Sequence, residues 1–364
     1  MRKNRLLIIS NMYPSENSPT FGIFVKNQVN ALVKEGVQVD VLAITNASTK
    51  KQDVIRKYLS WLRRGIFLLF KGYRYHTVHA HYVFPSGLIG LFFKLVWRSK
   101  LVVTAHGGDI DKMAKKSPLI QKVTTFILHK ADFVIAVGQR LYQEVQDHYQ
   151  VEPKKLLLLS MGVNRNIFRK IAEIESMKSK LKLNKNSSVI LFVGNITLDK
   201  GLIDLVKAFA LVKKQISQAE LHLIGSTKNK PFVEELTTII KEDRIEGIVF
   251  HEPKPQQDIA EWMNAADVFV LPSYIEGFGL VALEAMACGT PVVASNVGGL
   301  SYLLNNGSGI LIPPSDSQAL SEGISQVLTN KTKRDFLIEN GLKRAEEHDQ
   351  QTIINKLKKI YRSN

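Results

Sequence analysis

Residues 273–291 read Ser-Tyr-Ile-Glu-Gly-Phe-Gly-Leu-Val-Ala-Leu-Glu-Ala-Met-Ala-Cys-Gly-Thr-Pro and follow the apolar run Val268–Leu271. A short apolar run without alternation predicts a strand covered on both faces. Leu280–Ala287 predicts a helix, which Gly289 and Pro291 stop. Between strand and helix, Gly277 and Gly279 let the backbone pass close to a ligand. The N–H groups of Phe278, Gly279 and Leu280 open the helix, where unpartnered donors and the positive end of the helix dipole suit a phosphate. Two carboxylates bracket this turn. Glu276 precedes it, and Glu284 lies about a turn and a half into the helix. One can reach a ligand beyond its phosphates, the other a ribose diol.

The same strand–helix grammar extends outward through the chain. Strands are predicted at 6–10, 38–44, 77–80, 101–105, 133–137 and 156–159, with helical patterns at 22–34, 85–96, 118–130 and 139–148. The second half repeats the plan. Strands are predicted there at 189–193, 220–224, 248–250, 268–271, 292–294 and 310–312. Helices are predicted at 202–214, 232–241, 257–264, 280–287, 316–328 and 332–347. Regular alternation of this kind predicts an α/β fold with doubly wound parallel sheets. The charged stretch 165–185 has little strand pattern, so a linker is expected near 168–183. This divides the chain into domains 1–168 and 169–349.

With 364 residues, 45% of them hydrophobic and 23% charged, the chain has the composition of a globular protein with two cores. Its one cysteine, Cys288, excludes an intrachain disulfide, fits a reducing compartment and reads as a small buried residue. The apolar run 6–9 is too short for a signal-peptide core, and the longest interior run, 66–70, is too short to span a bilayer. A cytoplasmic protein is therefore expected. The net charge of +16 is unevenly spread: residues 1–170 hold 27 Lys and Arg against 10 Asp and Glu. Such asymmetry predicts that the first half meets an acidic surface or polymer.

The Glu-x7-Glu pattern of Glu276 and Glu284, with Gly-Phe-Gly inside it and Ala-x-Ala-Cys-Gly-Thr-Pro-Val-Val-Ala after it, resembles the donor-site signature of retaining glycosyltransferases of family four. The resemblance covers nearly the whole chain. It implies the GT-B fold, two Rossmann-like domains facing across a cleft, with the final helix, 350–364, crossing back to the first domain. The apolar spacing of Ile353, Ile354, Leu357 and Ile360 suits a packed helix. The opening 11–29 looks closest to transferases of teichuronic acid and exopolysaccharide assembly. A nucleoside-diphosphate-sugar donor and a polyprenyl-linked or oligosaccharide acceptor are then implied, with no cofactor and no metal.

Further positions carry over from the same resemblance. Lys200, in Val193-Gly194-Asn195-Ile196-Thr197-Leu198-Asp199-Lys200-Gly201, sits just ahead of a helix start and would grip the donor phosphates. Asn195 stands where the family usually has an arginine. It can hydrogen-bond a phosphate but not neutralise it. His106 closes a first-half strand in Thr104-Ala105-His106-Gly107-Gly108-Asp109 and resembles the histidine that meets the donor sugar; Asp109 would orient it or meet an acceptor hydroxyl. Gly22 stands in the loop that approaches phosphate and acceptor. The catalytic set implied is His106, Glu276 and Lys200; the donor-binding set is Gly22, Asn195, Lys200, Phe278, Gly279, Leu280 and Glu284.

His79 and His81 share a strand face, yet no carboxylate at suitable spacing completes a metal site. Residues 55–74 alternate aromatic and aliphatic residues with Lys and Arg, as a helix lying in an anionic membrane interface would. Lys94, Trp97, Arg98, Lys100, Lys112, Lys115 and Lys116 strengthen the expectation of peripheral contact with the inner face of the cell membrane. No recognised nucleic-acid motif accompanies these charges. Two other readings remain open at this point: a GT-B nucleotide-sugar epimerase, and a non-catalytic protein that binds an acidic polymer.

Overall fold

The computed structural model describes residues 5–48 and 50–363. The chain forms two units, one of residues up to Met161 together with those from Gln350 onward, the other Gly162–Asp349. Among the described residues each unit is built on a parallel sheet of six strands.

The first sheet contains β1 (Arg5–Ser10), β2 (Gln38–Ala43), β3 (Tyr75–His81), β4 (Lys100–Ala105), β5 (Phe133–Ala136) and β6 (Leu156–Leu158), ordered β2-β1-β3-β4-β5-β6. Leu7, Ile8, Ile9, Leu101, Val102 and Val103 are fully buried, as expected of strands with helices on both faces. The final helix, Gln350–Arg362, belongs here. Its Ile353, Ile354, Leu357 and Tyr361 join Leu6, Ile8, Val25, Val29 and Leu32 in one core. Each such side chain contributes about 1.5–3 kcal/mol by leaving water.

The second sheet contains β7 (Ser188–Val193), β8 (Ala219–Ile224), β9 (Ile248–His251), β10 (Val268–Leu271), β11 (Val292–Ser295) and β12 (Ile310–Ile312), ordered β12-β11-β10-β7-β8-β9. Chain direction across the sheet reverses between β7 and β10. In the first sheet the reversal falls between β1 and β3. Ligands of open α/β sheets bind beyond the carboxyl ends of the strands at such a reversal.

Three sequence expectations need correction. The chain leaves the first unit after Met161, not at 168, because Val163 already bridges Asp349 and Phe168 is buried in the second unit. The expected linker 168–183 contains the helix Ile174–Lys180, whose buried Lys178 pairs with Asp267 at 3.0 Å and also donates to the Ser187 carbonyl. The helical segment expected over 55–74 begins earlier, at Lys51, and ends at Leu69, followed by a 3-10 turn at Gly72–Arg74.

Candidate active site

The loops that follow β7 and β10 meet at the strand-order reversal of the second unit. The Tyr274 N–H donates to the Asp199 carbonyl at 2.9 Å, and the Tyr274 hydroxyl donates to Asp204 at 2.7 Å. Gly201, at φ +67°, lets the first loop press against the second; an added Cβ there would overlap the Pro272 carbonyl. This stitching brings the Lys200 ammonium 2.8 Å from a Glu276 oxygen, with both side chains about one fifth exposed. The other Glu276 oxygen accepts from the Gly277 N–H at 3.2 Å.

The helix Leu280–Ala287 starts at Gly279, held at φ +91°, where a Cβ would meet Leu300. No acidic side chain sits in its first turn, so the N–H groups there carry the positive end of the helix dipole. Phe278 and Gly279 are buried, and Leu280 is half-buried. Glu284 follows on the same helix. Burial pushes its carboxyl up to about 8, partly offset by the Gln256 amide, which donates to it at 3.5 Å. Burial thus favours the uncharged form of the Glu284 carboxyl. Asn195 lies exposed on the loop after β7.

Gly22 and His106 belong to the first unit. Gly22, at φ +71°, caps the helix Ile23–Lys34 and packs against the Met12 carbonyl. His106 follows β4. Its ring lies against Phe24 and Tyr82, with centroids 4.9 and 4.6 Å away, and His106 Nε2 is 3.1 Å from His81 Nδ1. Burial lowers the pKa of both rings, His81 to about 3 and His106 well below the usual histidine value. Asp109 differs from expectation. It holds the backbone of this loop rather than the ring, accepting from the His106 N–H at 3.0 Å and the Val83 N–H at 2.7 Å. Between the two residues Gly107, at φ +97°, takes a backbone conformation that glycine adopts readily. Burial raises Asp109 to about 6 against those hydrogen bonds.

His79 and His81 do share a face, their rings stacked 4.5 Å apart. His79 is used up by Tyr361 and Thr104, each 2.7 Å from a ring nitrogen. Among the described residues no three His, Cys, Asp or Glu side chains converge as metal ligands. Several contributors escaped the sequence reading. Gly298 and Gly299 pack on the backbone of 276–278, with the Gly299 N–H donating to the Glu276 carbonyl at 3.1 Å. A Gly-Gly pair just after a predicted strand was the available signal. Gln256 and Asp204 carried none, since only the fold brings them to Glu284 and Tyr274.

Such a site can hold a phosphate at a helix start, with the Lys200 ammonium beside it, and a polyol against two carboxyl groups. Comparison with known proteins agrees with that class. The pattern of Glycosyltransferase Family 4 matches residues 22–166, and that of Glycosyl transferases group 1 matches residues 173–344. The D-inositol 3-phosphate glycosyltransferase of Thermobispora bispora is 30% identical over 79% of this chain and 70% of its own. A Bacillus subtilis glycosyltransferase assigned to teichuronic acid biosynthesis, TuaC, is 25% identical over 88% of each. Sucrose-phosphate synthase from Thermosynechococcus elongatus superposes with a TM-score of 0.81 at 25% identity, covering 99% of this chain and 98% of the other. The chain belongs to glycosyltransferase family 4 and has the two-domain α/β architecture called GT-B.

Proposed function

We propose that this protein is a retaining, metal-independent glycosyltransferase that moves a sugar from a nucleoside-diphosphate-sugar to a polyprenyl-linked glycan in bacterial surface polysaccharide assembly. The observation that carries the reading is the Lys200–Glu276 pair at the strand-order reversal, beside the helix start that leads to Glu284. In this reading the second unit binds the donor and the first the acceptor. Glu284 accepts from the ribose hydroxyls. Lys200 and the N–H groups of 278–280 take the diphosphate, with Asn195 adding a neutral hydrogen bond.

As the glycosidic bond breaks, negative charge develops on the departing diphosphate, and these donors stabilise it without reorganising. Glu276 and His106 position the transferred sugar, His106 as a neutral ring. The departing phosphate takes the proton of the acceptor hydroxyl, which attacks from the face it has just left, so configuration is retained. Gly22 keeps the loop after β1 close to the acceptor. No cofactor is required. The protein works in the cytoplasm, peripherally on the inner face of the membrane where lipid-linked acceptors reside. The 25% identity to TuaC supports the polysaccharide role.

The test is release of nucleoside diphosphate from a panel of nucleotide-sugars with polyprenyl-diphosphate-linked sugar as acceptor. Acceptor-dependent release, with the product anomer matching the donor by NMR, supports the reading. An isomerised donor without acceptor would reveal an epimerase. Salt-dependent polymer binding without nucleotide preference would reveal a binding protein.

A further inference from the structure

The helix Lys51–Leu69 buries only Trp61 and Gly65. Its apolar residues Ile55, Leu59, Leu62 and Ile66, spaced three and four apart, form one stripe, and Phe70 continues it past the helix end. All five face outward, 54, 51, 45, 51 and 77% exposed. Side chains at this spacing on a globular protein normally line a core. Here they meet none, and the neighbouring helix Ser86–Trp97 adds exposed Leu95 and Val96.

Basic charge lies along one side of the stripe. Arg56 and Arg63 run along its edge. Beyond them a groove of about 610 Å³ is lined by Arg5, Arg63, Arg64, Lys71 and Arg74, with one carboxylate, Asp40. Asp40 is already engaged by Arg5 at 3.0 Å and by the Tyr75 hydroxyl at 2.9 Å. Among the described residues no carboxylate pairs with Arg63, Lys71 or Arg74. Lys71 lies 4.9 Å over the Phe67 ring, and Tyr73 meets Trp97 edge-on at 5.9 Å, putting amphipathic aromatics at the helix end. Polar-tipped rings of this kind favour the headgroup depth of a bilayer.

We propose that this groove binds the phosphate headgroups of an anionic phospholipid bilayer while the stripe from Ile55 to Phe70 enters the acyl boundary. The proposal deepens the membrane contact included in the proposed function and gives it residues. A helix lying with its apolar stripe downward brings phosphates level with its flank, where Arg63 and Phe67 open the groove. The same stripe does not suit a second copy of this chain, since a two-fold contact would oppose the two basic edges.

Flotation with vesicles of phosphatidylcholine, with and without an equal share of phosphatidylglycerol, tests it. The full chain binds only the anionic vesicles. Arg63→Glu with Lys71→Glu weakens that binding at least about tenfold. Ile66→Ser with Phe70→Ser weakens it comparably. All four sites are on the surface, so each variant keeps the unfolding midpoint of the native chain. Equal binding to both vesicle types, or anionic binding unchanged in either double variant, overturns the proposal. Release by millimolar glycerol phosphate would identify a site for soluble phosphate instead of a bilayer. Self-association lost in the stripe variant, without vesicle binding, would identify a dimer face. Glu284→Ala binds vesicles normally, so a failed transferase reading and a failed membrane site give different results.

Discussion

Lys200 Nζ stands 2.8 Å from Glu276, joining the loops after β7 and β10 across the point where the strand order reverses. The cation proposed for the diphosphate is thus paired with the carboxylate proposed for the sugar. A donor entering this site exchanges that ion pair for contacts of its own.

Lys200→Ala therefore lowers kcat by about 10²- to 10³-fold, the usual effect of losing one charge-stabilising donor. Glu276→Gln acts differently. It frees Lys200, so a nucleoside diphosphate binds about two- to fivefold tighter while transfer is lost. Calorimetry beside steady-state rates checks both. Weaker diphosphate binding in Glu276→Gln would speak against the competition.

Glu284 sets a pH dependence. Its folded pKa, about 8, lies above the unfolded value, so the folded state holds this proton more tightly. The resulting stabilisation is complete below the unfolded pKa of about 4.3 and is lost as pH rises through 8. Glu284→Gln removes the loss, so its unfolding free energy exceeds that of the native chain progressively from pH 5 to pH 8, by on the order of 3 kcal/mol near neutrality. Accepting from ribose hydroxyls draws on the carboxylate, and nucleotide binding at pH 7 releases a proton. Calorimetry in buffers of different ionisation enthalpy measures it; zero proton release contradicts this role.

Asp109 serves the loop backbone. Asp109→Asn turns an amide N–H toward the Val83 or His106 N–H, costing about 1–3 kcal/mol and a few degrees in midpoint. A midpoint equal to the native one would mean the two hydrogen bonds contribute nothing.

His106 and His81 are both held neutral, with their facing nitrogens sharing one proton. Side-chain ¹⁵N spectra should leave both rings uncharged from pH 7.5 to pH 5. An ordinary histidine titration near 6.5 in either ring would disprove that environment.

Strand positions were legible because apolar runs such as Val268–Leu271 and 189–193 are covered on both faces and leave no other reading. The helix start at Leu280 was legible from Gly279 before it and Gly289 after it. What could not be read was pairing over distance. Nothing in the spacing says that the Tyr274 hydroxyl reaches Asp204, or that Lys200 meets Glu276, since strand order alone brings those loops together. The linker was misread because Lys178 looks like a solvated charge in sequence, whereas Asp267 and the Ser187 carbonyl hold it inside. Amphipathicity at 55–70 was visible, but its orientation was not. A stripe facing a core and one facing outward have the same period.

The central claim is a nucleoside-diphosphate site built on Lys200, the helix start at Leu280, and Glu284. Thermal unfolding with UDP, GDP and ADP, with and without EDTA, tests it most directly. A ligand at a hundred times its dissociation constant adds about 2.7 kcal/mol, a shift of several degrees. The account predicts such a shift with at least one nucleotide, unchanged by EDTA and abolished in Glu284→Ala. No shift with any of the three, or a shift that survives Glu284→Ala, would contradict it.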